Sequence, residues 1–116
     1  MPNTNTVRIG NAQALWGDRA DAAAEMLALE PDLDYLTLDY LAEVSMSVLA
    51  RQRTRQPELG YPRDFLEVVR SLAPVWAGEQ RLKLVTNAGG LNPRACADAA
   101  AAILRDGGCA GRFGHR

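Results

Sequence analysis

Apolar residues recur along this chain with two spacings, and where the spacing changes the segment type changes with it. Val7-Arg-Ile-Gly10 is short and alternating, which predicts a first strand that breaks into a polar loop from Asn11 to Arg19. Ala22 to Leu29 reads as a helix. Asp18 or Asp21 is placed to cap it, and Pro31 must stop it because residues before proline avoid the α region. Tyr35 to Leu38 predicts a second strand. Leu41, Val44, Val48 and Leu49 then recur at helical spacing, so one amphipathic helix is expected over Leu41 to Arg51. The run Gln56-Pro-Glu-Leu-Gly-Tyr-Pro62 ends it, and Pro62 opens a helix whose buried stripe includes Phe65, Leu66, Val69 and Leu72. Pro74 is expected to kink or terminate that helix. Leu82 to Thr86 predicts a third strand, Asn92-Pro93 an N-cap followed by proline at the first helical position, and Ala95 to Arg105 a last helix.

The order β-α-β-α-α-β-α, with helices on the crossovers, predicts the α/β class with a parallel sheet and right-handed connections. Three strands fall short of a complete doubly wound domain, since parallel strands need both faces covered and both sheet edges partnered. The expectation is therefore an incomplete, truncated doubly wound domain over residues 7–106, preceded by a flexible terminus (1–6). A disordered or aberrant tail (107–116) is expected to follow it, with no strand after Asp106. Exposed edges of this kind predict self-association or a companion chain that supplies the missing strands.

Composition narrows the function classes. The 116 residues, 47% hydrophobic, fit one packed domain. A net charge of −1 offers no basic excess for a phosphate backbone, so nucleic acid is not an expected partner. The first residues lack the basic and apolar stretches of an export signal, and no segment is long enough to span a bilayer, which predicts a cytoplasmic protein without a membrane partner. Cys96 and Cys109 are too sparse for a disulfide framework or a metal cage and read as free thiols. His115, the one histidine, excludes a His-based triad or a multi-histidine metal site within the chain. No metal site is predicted, and no cofactor is assigned. Met26 and Met46 read as core filler, Ser45 and Ser47 lack a local base, and Arg51, Arg53 and Arg55 crowd a helix end where cations complement the dipole.

The chemistry-bearing residues follow the strands. In open α/β sheets ligands bind outside the carboxyl ends of the strands, where loops converge. Asp39 and Glu43 lie four apart across a strand-to-helix junction. If both face one side, mutual repulsion raises one pKa toward acid-base use, or the pair binds a hard cation; the alternative is that Asp39 caps the helix and Glu43 complements its positive end. In Asn87-Ala-Gly-Gly-Leu-Asn-Pro-Arg94, Gly89 and Gly90 allow successive N–H groups to turn toward one point. The helix start at Asn92 and the Arg94 side chain then suit a phosphate or carboxylate; the alternative is a tight turn with a good N-cap. Asn11, Gln13 and Asp18 follow the first strand and, if the strands are adjacent, join Asp39 and Asn87 with Trp16 as an apolar wall. The expected site thus assigns Asp39, Glu43 and Asn87 to catalysis and Asn11, Gln13, Asp18, Gly89, Gly90, Asn92 and Arg94 to substrate binding.

At these motifs the chain resembles a known family. Ile9-Gly-Asn-Ala-Gln13 with Trp16-Gly-Asp18, Asp34-Tyr-Leu-Thr-Leu-Asp39-Tyr-Leu-Ala-Glu43, Leu49-Ala-Arg-Gln-Arg53 and Val85-Thr-Asn-Ala-Gly-Gly-Leu-Asn-Pro-Arg94 together look like the amino-terminal part of the acyclic terpene utilisation (AtuA) family. The resemblance covers roughly Val7 to Arg105, and family members are several times longer. It implies a place in bacterial breakdown of acyclic terpenes such as citronellol and geraniol, a pathway that runs through coenzyme A thioesters. An acidic or thioester small-molecule substrate is the partner it implies. A non-catalytic partner-binding subunit, or a truncated product without independent activity, is the alternative.

Overall fold

A computed structural model describes residues 6–78 and 81–109. Alternation of Leu36 and Leu38 with Tyr35 and Thr37 builds the central strand β2 (Tyr35–Leu38), flanked by β1 (Ile9–Gln13) and β3 (Lys83–Thr86) in the order β1-β2-β3, all parallel. The helices are α1 (Ala22–Leu29), α2 (Glu43–Arg55), α3 (Asp64–Ala77) and α4 (Pro93–Asp106), which reproduces the expected β-α-β-α-α-β-α order. Cross-strand partners Gly10, Leu36 and Leu84 share one face, and that face packs against the helices: Leu36, Leu38 and Tyr40 are buried with Leu27, Phe65, Val68, Val69, Leu72 and Leu104. A Cβ at Gly10 would come within 2.8 Å of the Met26 Sδ on α1 and 2.9 Å of Leu33, so any side chain there would have to displace both.

The opposite face is bare among the described residues. It carries the rows Ile9, Tyr35, Lys83 and Asn11, Thr37, Val85, with Ile9 64% and Val85 55% exposed. All crossovers therefore run on one side, the right-handed outcome when three parallel strands follow one another in order.

Several boundaries differ from the sequence expectation for local reasons. β1 begins two residues later than expected and continues through Asn11 and Gln13, because an irregularity between these two lets Gln13 pair with Leu38. The extra residue turns the Gln13 side chain into the helix layer, where it is 4% exposed. Pro74 does not end α3; three residues of helix follow, and Gly78 closes it by donating to the Pro74 carbonyl (3.1 Å). Neither expected capping side chain accepts from α1: Asp21 is at the N-cap without a side-chain bond, and Asp18 accepts from the N–H groups of Ala14 (2.8 Å) and Leu15 (3.2 Å) inside its own loop. α2 is not buried along the expected stripe, since Val44 is 76% exposed and Leu49 alone is buried.

Order continues past Asp106. Cys109 N–H donates to Leu104 O (2.9 Å) and Gly108 N–H to Arg105 O (3.0 Å) with Gly108 at φ 81°, the glycine-capped helix end that needs a left-handed residue. Buried Cys109 then donates its Sγ–H to Ala73 O (3.3 Å), so this residue of the expected tail packs on α3. Residues 110–116, with His115, and residues 1–5 lie outside the described residues.

Candidate functional site

Parallel pairing brings the carboxyl ends of β2 and β3 side by side, and two side chains bridge them. Asn87 donates its Nδ2 to Asp39 Oδ1 (2.8 Å) while its own Oδ1 accepts from the Tyr40 N–H (2.9 Å). Asp39 Oδ1 also accepts from Leu41 N–H (3.2 Å), and Asp39 N–H donates to Gln13 O (2.9 Å), so the end of β1 is tied to the same point. Thr86 completes the link, donating to Leu38 O (2.9 Å) and accepting from Ala88 N–H (3.1 Å). Both Asp39 and Asn87 are exposed. Asp39 Oδ2 has no hydrogen-bond partner among the described residues, so one carboxylate oxygen faces outward at the strand ends.

The expected convergence is partial. Asn11 lies on the bare face against Thr37; the amide orientation that satisfies its neighbours points nitrogen at Thr37 O (2.9 Å) and Gln13 O (3.2 Å), and its side chain makes no hydrogen bond to Asp39. Gln13 is buried and donates to Leu15 O (3.2 Å). Asp18 is consumed by its loop, and Trp16 packs against the core. Glu43 opens α2 and is exposed, with no hydrogen bond to Asp39; the N-cap position is Ala42, whose N–H donates to Ser45 Oγ (3.1 Å). Asp39 is thus not the residue at the helix cap, although it does hold the N–H of Leu41.

The Gly89-Gly90 loop spends most of its donors internally. Gly90 N–H donates to Asn87 O (3.1 Å), Leu91 N–H to Gly60 O (2.9 Å) and Asn92 N–H to Gly89 O (2.9 Å). Of the N–H groups from Ala88 to Asn92, that of Gly89 alone lacks a protein partner among the described residues. Asn92 caps α4 through Ala95 N–H (3.4 Å) and clamps the carbonyls of Pro57 (3.0 Å) and Leu59 (2.9 Å) with its Nδ2. Arg53 adds a bond to Leu91 O (2.8 Å). Gly90, at φ 55°, sits where a Cβ would come within 2.7 Å of Gly60 O and 2.8 Å of Leu49. Arg94 is exposed in the first turn of α4.

Beneath the strand ends lies a feature that the sequence reading missed. Tyr40 is 1% exposed, its ring packs edge-on against Phe65 (5.9 Å), and its hydroxyl makes no hydrogen bond. Burial pushes the phenol up to about 12, and the Gln13 side chain beside it offsets this only in part. Burial likewise raises the Cys96 thiol to about 11. The signal for Tyr40 was available, since Leu36, Leu38 and Tyr40 alternate onto one face. Cys96 and Cys109 are both free and buried. No group of three or more His, Cys, Asp or Glu side chains with metal-holding geometry occurs among the described residues. No helix among them is long and apolar enough to cross a membrane.

No curated protein and no solved structure matches the chain. The family model described as "Acyclic terpene utilisation family protein AtuA" matches residues 7–115, a span that contains every element of the fold and both strand-end residues. The chain belongs to the acyclic terpene utilisation AtuA family.

Proposed function

We propose that this terpene-utilisation-associated protein offers a polar site at the carboxyl ends of β2 and β3, built on Asp39 and Asn87. Its substrate is an acidic compound or a coenzyme A thioester from acyclic terpene breakdown. The observation that carries this reading is the Asn87 Nδ2 to Asp39 Oδ1 bond of 2.8 Å, which fixes a carboxylate at the strand ends while leaving its second oxygen outward. Such an oxygen accepts a proton or a hydrogen bond from a substrate, and its neighbour amide keeps it oriented. Arg94 supplies the positive charge for an acidic group, and the Gly89 N–H adds one donor.

Calorimetric titration of the chain with acyclic terpene acids and their thioesters tests the reading. Asp39→Asn and Asn87→Ala are each expected to weaken binding by about tenfold or more, the scale of a lost charge-assisted contact. Unchanged affinity in both variants would remove the site.

The bare sheet face favours a second reading, a partner-binding subunit. Ile9 and Val85 are mostly exposed on a parallel sheet, a surface that such sheets ordinarily bury. Sedimentation of the purified chain separates the two readings: a monomer that binds the acid alone supports the first, and binding only in the presence of a companion chain supports the second.

A further inference from the structure

α2 is fastened to the body differently from the other helices. α1, α3 and α4 each place side chains in the core cluster, among them Leu27, Phe65 with Leu72, and Cys96 with Leu104. Among the described residues, none from α2 belongs to that cluster or to the layer packed on it. Leu49, its one buried side chain, rests instead on the Gly90 turn, where a Cβ would come within 2.8 Å of it. The helix start adds little, because Ala42 at the N-cap has no side-chain acceptor for the first-turn N–H groups. What holds the far end is a set of hydrogen bonds to one loop. Arg53 donates to Leu91 O (2.8 Å), Leu91 N–H to Gly60 O (2.9 Å), and Asn92 Nδ2 to Pro57 O (3.0 Å) and Leu59 O (2.9 Å).

The residues on either side of this segment are fixed. Leu41 packs against the core cluster, and Tyr61 belongs to it. Just inside them lie Ala42, with extended backbone, and Gly60 at φ 108°, a left-handed position where glycine keeps the backbone free to turn. Regions with few buried apolar contacts and exposed hydrogen bonds open at a smaller free energy than the core does. A 13-residue helix is too short to persist alone in water, so its own backbone bonds fail once it is released.

We propose that residues 43–59 form a strap that opens from the body as one unit, about pivots at Ala42 and Gly60, while the sheet and α1, α3 and α4 stay folded. Opening changes what the loop after β3 presents to solvent. Leu91 loses the partners of both its N–H and its carbonyl, and Asn92 Nδ2 is freed, all within three residues of the unpaired Gly89 N–H. The strap therefore controls donors that the closed form spends internally, whether or not Asp39 and Asn87 bind an acid.

The test is amide-resolved hydrogen exchange of the full chain, followed by NMR at stepped urea below the unfolding midpoint. The Ser47 to Gln56 amides are expected to share one opening and to be about 100-fold less protected than those of Val69 and Leu72 on α3. The Leu91 amide lies in the body, yet it opens with the strap because its acceptor is Gly60 O, whereas the Cys96 amide, bonded to Asn92 O, stays with α4. Leu49→Ala is expected to speed exchange of the strap and Leu91 by at least about tenfold, and Arg53→Gln by about threefold, with α3 protection unchanged in both. Strap amides that exchange only together with α3, a Leu91 amide still protected when the strap has exchanged, or a Leu49→Ala variant that leaves the strap unchanged or deprotects α3 equally would overturn the proposal.

Discussion

The loop from Asn87 to Arg94 reads as uniform in sequence, a run of small and polar residues before a helix, yet its two halves do opposite things. Asn87 reaches across to Asp39 and Tyr40 at the exposed strand ends. Gly90, Leu91 and Asn92 turn back and lock onto the Pro57 to Gly60 segment, with their N–H groups consumed. Glycines in a phosphate-binding loop leave donors free; here they allow two backbones to approach. The lesson is that a glycine pair ahead of a helix identifies close approach, and only the fate of the N–H groups says whether a ligand or another loop makes that approach.

Gly90→Ala is expected to have the largest effect on the second half of the loop. A Cβ there meets a backbone carbonyl at 2.7 Å in a left-handed conformation, so a loss of about 3 kcal/mol is expected, measured as a fall in urea midpoint. Alkaline pH probes the layer beneath both halves. The Cys96 thiol is raised from 9.0 to about 11 and the Tyr40 phenol from 10.0 to about 12, so the folded state retains protons that the unfolded chain releases. Stability from these groups is fully present below about pH 9 and is lost first through Cys96 and then through Tyr40, by about 1.4 kcal/mol per pH unit for each titrating group. Cys96→Ala should delay the onset of that loss to about pH 10, measured by denaturation at stepped pH. Asn92→Ala follows, costing about 2 kcal/mol through one lost cap and two unsatisfied carbonyls. Asp39→Asn is expected to change stability least, by under about 0.5 kcal/mol, because the residue is exposed and Asn still accepts from Leu41 N–H.

Much of the fold is legible in the sequence, and the misses have local causes. Tyr35 to Leu38 alternates cleanly because one of its faces is buried, and Asn92-Pro93 marks α4 because cap chemistry is local. The stripe of Leu41, Val44, Val48 and Leu49 names a helix correctly and its buried side wrongly. Periodicity cannot tell which of two neighbouring stripes finds a partner, and Leu49 with Arg53 wins that contact. At the site, the pairing of Asp39 with Asn87 follows from parallel strands in register. The withdrawal of Gln13 does not, since a single irregular residue in β1 reverses the side on which it emerges. Asn11 and Asp18 are taken up by partners in the neighbouring strand and in their own loop, a pairing that residue spacing does not encode.

Under the proposed function, the first half of the loop serves the site and the second half serves the fold. One paired measurement tests it directly: Asn87→Ala and Asn92→Ala carried through thermal denaturation and through titration with the same terpene acid. Asn92→Ala is expected to lower Tm by several degrees while the folded fraction binds as before, and Asn87→Ala to bind about tenfold more weakly with a smaller fall in Tm, from the Tyr40 N–H that it leaves unpaired. Loss of Tm without loss of affinity in Asn87→Ala, or the reverse pattern in Asn92→Ala, would contradict it.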